Sequence, residues 1–429
     1  MTDLTTLKNN IIGGHYEEKL ASVYLSAESV AEQRARIAKL LDGFAATYGS
    51  QRQVEIFSAP GRTEICGNHT DHNHGKVLAA SVNLDALAVV SYSDEEIVRF
   101  KAQYNEYEIA PVSLSDLEPK EEEHATSAAL VRGVCAEFKR RGYKIGGFNA
   151  FSASDVLRGS GVSSSASFEV LIGTILNHLF NDGTVDPVEI AQIGQVAENK
   201  FFGKPCGLMD QTASAVGGFV TIDFENPQNP VIEKISFDFT SCGHALVIVN
   251  TGGDHAGLTE EYAAVRREME KVANVFGKQT LREVPVECFE KNLKKIREEA
   301  GDRALMRAMH FFAENNRVAL QVEALKAGDF EKFKKIVIES GHSSYMYNQN
   351  IYLNNRPSFQ PVSVALCLSE KLLSGKGAWR VHGGGFAGTI QAFVPKAQLK
   401  SYTDEMSAVF GENSCFVLDV RPVGGVKLI

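Results

Sequence analysis

The stretch from Ala59 to Gly75 holds Arg62, Glu64, Asn68, His69, Asp71, His72 and His74 among three glycines. Arg62, His69 and Asp71 supply the donors and acceptors that a polyhydroxylated or phosphorylated molecule needs, and glycine lets backbone come close to a ligand. His69, His72 and His74 also stand at ligand-like spacings, so a metal site is a competing reading. A second group is Gly159, Ser160, Gly161, Ser163, Ser164 and Ser165. It precedes Phe168, Leu171, Ile172, Ile175, Leu176 and Leu179, whose three- and four-residue steps predict a buried helix starting near the serines. Unpaired N–H groups and the helix dipole favour an anion there, and the hydroxyls could add donors or a magnesium ligand. Capping is the plainer alternative. Asp210 follows the glycine turn at Gly207 and opens another apparent helix, placed either to cap it or to project into a cleft. No Walker loop competes for the phosphates.

These groups need elements to hold them. Val30, Ile37, Leu40, Leu41 and Phe44 predict one face of a helix ending at Gly49. Val54, Ile56 and Ser58 then lead as a strand into the segment at Ala59, which reads as a loop between strands. Strand-like alternation resumes from Val77 to Tyr92, with a break at Asp85. A helix over 126–141, a strand over Phe148–Ser154 and a helix after Pro187 carrying Ile190, Ile193, Val196 and Ala197 follow. Strands at 218–224 and 245–249 begin what reads as a second domain, largely helical from Glu261 to about Lys335. Gly383, Gly385 and Gly388 formally satisfy G-x-G-x-x-G, yet Thr389–Pro395 alternates like a strand, so a strand-loop-strand turn fits better than a dinucleotide site. The expected fold class is α+β, in two domains of residues 1–215 and 216–429.

At 429 residues, 44% apolar and 23% charged, the chain has the balance of a globular protein. A formal charge of -9 argues against broad nucleic-acid binding, which needs a basic stripe. No apolar stretch long enough to span a bilayer and no leader pattern is visible, so no membrane partner is expected. Seven widely spaced cysteines without a C-x-x-C pair fit reduced thiols in the cytoplasm. The expected state is a monomer, with an oligomer left open.

The stretch from Ala59 to Gly75 resembles the first signature of galactokinases, the sugar branch of a kinase superfamily that also contains homoserine, mevalonate and phosphomevalonate kinases. Gly159–Ala166 resembles the superfamily's second signature, P-x-G-x-G-L-S-S-S-A, without the leading proline and with Val162 for leucine. Gly383–Gly388 is similar to its third, with Ala387 for one glycine. The resemblance implies two α+β domains with the active site in the cleft between them, and a sugar 1-kinase using ATP with Mg2+ to make α-D-galactose 1-phosphate and ADP. It implies Asp210 as the catalytic acid-base group with Arg62 as its cation. Ser165 and Glu198 would hold the metal. Asn68, His69, Asp71, Gly207 and Tyr262 would join Arg62 and Asp210 around the sugar.

Two places depart from the pattern. Asn68 stands where galactokinases carry Glu, which leaves galacturonate or a pentose open as substrate. Glu339–Ser344 drifts from the family's E-S-H-x-S-L-R-D-D-Y, with Asn348 and Asn350 in a region that is usually acidic. A non-catalytic sugar sensor is one alternative, against which Arg62, Ser165, Glu198 and Asp210 speak; a kinase of the homoserine or mevalonate type is another, disfavoured by the sugar-specific pattern from Gly67 to Asn73.

Overall fold

The computed structural model describes residues 1–103, 109–156, 162–253 and 257–429. Gly159, Ser160 and Gly161 of the expected anion loop lie outside the described residues. In chain order the described strands are β1 (Thr2–Asp3), β2 (Gln53–Cys66), β3 (Lys76–Tyr92), β4 (Ile97–Ala102), β5 (Val112–Ser113), β6 (Phe148–Ser154), β7 (Phe219–Asp223), β8 (Val231–Ile235), β9 (His244–Asn250), β10 (Ala378–His382), β11 (Thr389–Pro395), β12 (Cys415–Leu418) and β13 (Val426–Lys427). They form two sheets among helices, an α+β fold. The first runs β1-β2-β3-β6-β4-β5, with β13 added on β2 and β7-β8 on β3; the second runs β10-β11-β9-β12.

The helix Ala27–Tyr48 buries Val30, Ile37, Leu40, Leu41 and Phe44, the face the spacing predicted. Ser26 caps its start, accepting from Ser29 N at 3.1 Å. Gly49 at φ 92° ends it, a conformation costly to a residue with a Cβ. Phe44 is fully buried, so Phe44→Ala would cost about 3–5 kcal/mol.

Two local expectations change. Residues 59–66 are the second half of β2 rather than loop, and Arg62 sits on a strand. β2 pairs with β3 through irregularities at Pro60/Arg62 and Glu64/Cys66, where the local pattern stops looking like a strand. Likewise β3 does not break at Asp85, which pairs with Pro60 inside the ladder. The buried carboxylate accepts from Tyr24 Oη at 2.6 Å, Arg36 Nη1 at 2.6 Å, Arg421 Nη1 at 3.0 Å and the Ser58 hydroxyl. A buried charge survives in a strand when it is paired and hydrogen-bonded. Asp85 thus ties the N-terminal helices and the C-terminal Arg421 to the first sheet.

Among the described residues no helix is long and apolar enough to cross a membrane. The G-x-G-x-x-G stretch joins β10 to β11, two antiparallel neighbours, as a strand-turn-strand.

Candidate functional site

Arg62 and Asp210 come together from distant parts of the chain. The helix Met209–Val216 has Leu208 at its N-cap, and Asp210 lies in its first turn. It accepts Arg62 Nε at 2.6 Å and Nη2 at 2.7 Å, the paired fork that guanidinium and carboxylate geometry favours. Ser163 Oγ adds a third bond to Oδ2 at 2.7 Å. Burial alone would push Asp210 up; Arg62's charge and bonds, with the Ser163 hydroxyl, outweigh it and hold the carboxyl below the usual carboxylate range.

Ser163 precedes the helix Ser164–Phe180 in a left-handed conformation, φ 59°, and makes no side-chain cap bond. Serine holds such a backbone at a cost. Its hydroxyl proton is spent on Asp210 rather than on the helix, which separates it from an ordinary cap.

Within the first turn, Ser165 Oγ donates to Glu198 Oε1 at 3.0 Å. Glu198 also accepts Lys204 Nζ at 3.2 Å and Gln211 Nε2 at 2.9 Å. Gln211 Nε2 reaches Glu169 as well, at 3.0 Å. Burial, reinforced by the charge of Glu198, pushes Glu169 well above the usual carboxylate range. Ser164, Ser165, Glu198 and Lys204 line a cavity of about 480 Å³ together with Leu130, Phe168 and Phe202. Hydroxyls, a cation and apolar side chains in one lining suit a phosphorylated ligand with a flat apolar part.

The loop after β2 brings the remaining residues. Asp71 is half-buried, and the partial loss of water raises its carboxyl; His69 opposes that rise and Asp210 adds to it. A Cβ at Gly207 would lie 3.1 Å from Asp71 Oδ2, so the missing side chain leaves the carboxylate room. His69, at φ 59°, puts Nε2 2.8 Å from the carbonyl of Gly384. A carbonyl only accepts, so Nε2 carries the proton. Tyr262 donates its hydroxyl to Gly385 O at 2.8 Å and packs edge-on against Phe386. Burial pushes that phenol up to about 12. Among the described residues no three His, Cys, Asp or Glu side chains converge as metal ligands would.

Asn68 is placed differently from its neighbours. It is 1% exposed. Its Nδ2 donates to Glu64 Oε1 at 3.1 Å and Gly383 O at 2.7 Å, while Oδ1 accepts from Asn350 Nδ2 at 2.8 Å and Ser344 Oγ at 3.3 Å. Both amide hydrogens and both lone pairs are taken. A Glu there would set a carboxylate against Glu64 and a carbonyl, which explains the amide.

Sequence reasoning did not reach the residues that hold this loop from behind. From the helix Asp302–Lys326, Glu314 Oε1 accepts Gly67 N at 3.1 Å and Ser340 Oγ at 2.6 Å, and His310 Nε2 donates to Asn68 O at 2.9 Å. Their i, i+4 spacing resembles any charged helix face; only burial marks them. Lys204, one of several lysines that could lend positive potential near a triphosphate, does not stand out in the sequence because solvated lysines are commoner, and Gln211 shows there only as a neighbour of Asp210.

The chain matches two family models. "GHMP kinases N terminal domain" covers residues 129–218 and "Galactokinase galactose-binding signature" residues 42–92. It is 33% identical over 372 residues to a galactokinase of Actinobacillus pleuropneumoniae serotype 5b, covering 83% of this chain and 89% of that one. To a galactokinase of Streptomyces coelicolor it is 30% identical over 387 residues, covering 90% and 96%. In structure it is similar to a Lactococcus lactis galactokinase complexed with galactose, with TM-score 0.75, 25% identity and coverage of 91% and 100%. A mevalonate kinase at 14% identity and TM-score 0.60, covering 85% and 99%, shares the fold alone.

Proposed function

The chain belongs to the galactokinase family of the GHMP kinases, and from that premise we propose that it transfers the terminal phosphoryl group of ATP to O1 of D-galactose, giving α-D-galactose 1-phosphate and ADP. The observation that carries this reading is the Arg62–Asp210 fork, joined by Ser163 from the head of the serine helix. Asp210 takes the proton of the anomeric hydroxyl as its oxygen bonds to phosphorus and the bond to ADP breaks. A carboxylate held this low is a weak base, but phosphoryl transfer asks more for alignment than for a strong base. The proton therefore moves late. Arg62 orients the carboxylate and offsets charge on the transferred group.

His69 and Asp71 face the sugar hydroxyls, with Gly207 leaving them space and Tyr262 presenting its ring. The serine helix receives the triphosphate, and the adenine lies against the apolar walls at Leu130, Phe168 and Phe202. Ser165 and Glu198 are oxygen donors suited to Mg2+ and open on the same cavity. When bound, that ion neutralises the phosphate oxygens. Lys204 supports Glu198.

The test is ADP release by purified protein with ATP, Mg2+ and a panel of hexoses, alongside Asp210→Asn. Turnover of galactose with a loss of about 10²–10⁴ in the variant is expected. No turnover with any sugar, or an active Asp210→Asn, would sink the reading.

A further inference from the structure

The glycine turn between β10 and β11 is stitched to the sugar loop through consecutive carbonyls. Gly383 O accepts Asn68, Gly384 O accepts both His69 and Asn350, and Gly385 O accepts Tyr262. Asn350 is the second buried amide of this set. Its Nδ2 reaches Asn68 Oδ1 at 2.8 Å and Gly384 O at 3.0 Å, and its backbone carbonyl accepts Phe386 N at 2.5 Å. At Gly385, φ 80°, a Cβ would fall 1.9 Å from Asn350 O. Glycine is required there, and the two segments cannot separate without breaking these bonds. Positions 68 and 350, two of those where the chain leaves the pattern it otherwise resembles, therefore touch each other.

We propose that Asn68 and Asn350 act as one positioning pair: they lock the glycine turn onto the sugar loop, so that His69 and Tyr262 meet the sugar, and neither amide contacts it. The inference rests on the assignment of this loop to the sugar. Its physical basis is complementarity. Glu64, held by Arg380 Nη2 at 2.9 Å, and Gly383 O are acceptors that require donors from position 68. Asn350 supplies the donor that the Asn68 carbonyl then needs. Neither residue can change alone without leaving a buried group unpaired. The consequence for specificity is that position 68 does not read the C6 substituent.

The experiment measures KM and kcat for galactose and for 6-deoxygalactose, which lacks the C6 hydroxyl, in the native protein, Asn68→Asp, Asn350→Ala and the double variant. A loss of about tenfold in kcat/KM from each single change is expected, carried by the sugar KM, equal for the two sugars, with the ATP KM unmoved. The double variant should lose much less than the product of the singles. A loss confined to galactose would make Asn68 a direct C6 ligand and overturn the proposal, as would multiplicative losses. A rise in both KM values together would mark a merely structural role and overturn it too. Ser344→Ala, which removes the second donor to Asn68 Oδ1, stands in if Asn68→Asp does not fold. Hydrogen exchange of the sugar-free protein gives an arm independent of turnover. Faster exchange of the Asn68 and Phe386 amides in Asn350→Ala supports the pair even if no sugar is phosphorylated, which would overturn only the kinase reading; unchanged exchange overturns the pair.

Discussion

Arg62 and Asp210, 148 residues apart in the chain, meet as a fork of two bonds at 2.6 and 2.7 Å. The irregular second half of β2 delivers one side chain and the first helical turn after Leu208 the other. Because the guanidinium outweighs burial, the Asp210 carboxyl is ionised throughout the neutral range. The pH profile of kcat/KM should therefore show no acid limb from Asp210 above about pH 5. In Arg62→Gln burial acts unopposed by that charge, so an acid limb should move upward into the measured range, and kcat should fall by about 10²–10³. Rates from pH 4.5 to 8 check this; superimposable profiles would show that Arg62 does not set the Asp210 carboxyl.

Glu198 binds Ser165, Lys204 and Gln211 at once. Glu198→Gln should raise the Mg2+ concentration for half-maximal rate by at least the roughly 10–100-fold that changes around metal sites cost. Lys204→Met should shift it less, because that side chain is 63% exposed and its charge is screened by water. Magnesium titrations of both variants at saturating sugar decide; a larger shift for Lys204→Met would assign the site elsewhere.

The sequence already carried the helix faces of residues 27–48 and 164–180, because periodicity is local. What it could not carry is pairing. Alternation fails at Ala59 and at Asp85, yet bulges and a paired buried carboxylate keep both in strands. The boundary set at residue 215 follows the chain, whereas β7, β8 and β13, all beyond it, hydrogen-bond into the first sheet. The resemblance sets Asn68 beside the sugar; the acceptors around its amide, Glu64 and Gly383 O, come from a bulged strand and a turn 315 residues away, beyond the reach of any local pattern.

Asp85 carries a large predicted effect on stability. Asp85→Ala leaves the fully buried Arg421 without its carboxylate and should destabilise by about 3–5 kcal/mol in urea unfolding. Against burial, Arg36 and Arg421, with Ser58 and Tyr24, hold the Asp85 carboxyl below the ordinary range. Its contribution is therefore complete above the unfolded-state value near 4 and is lost as pH falls through the lower folded value. Asp85→Ala should accordingly show a shallower loss of stability below about pH 4 than the native chain; an equal slope would remove Asp85 from the acid response.

His310 governs a different window. Its Nε2 proton goes to Asn68 O, and Nδ1 accepts from Ser343 Oγ at 2.9 Å, so the ring is held neutral. Burial pushes it down to about 4 although the charge of Glu314 works the other way, and burial beside Arg62 and Arg380 takes His382 to about 3. Unfolded histidines titrate near 6.5. Between that value and the folded ones the unfolded chain binds more protons, so stability is complete above pH 6.5 and falls with decreasing pH, by up to about 1.4 kcal/mol per unit for each ring. His310→Asn should cost about 1–3 kcal/mol at pH 7, through the unpaired Asn68 carbonyl and Ser343 hydroxyl. It should also lower the slope between pH 6 and 5 by close to one proton. Urea unfolding of both proteins at pH 7, 6 and 5 measures each quantity, and an unchanged slope would show that His310 is already charged in the fold.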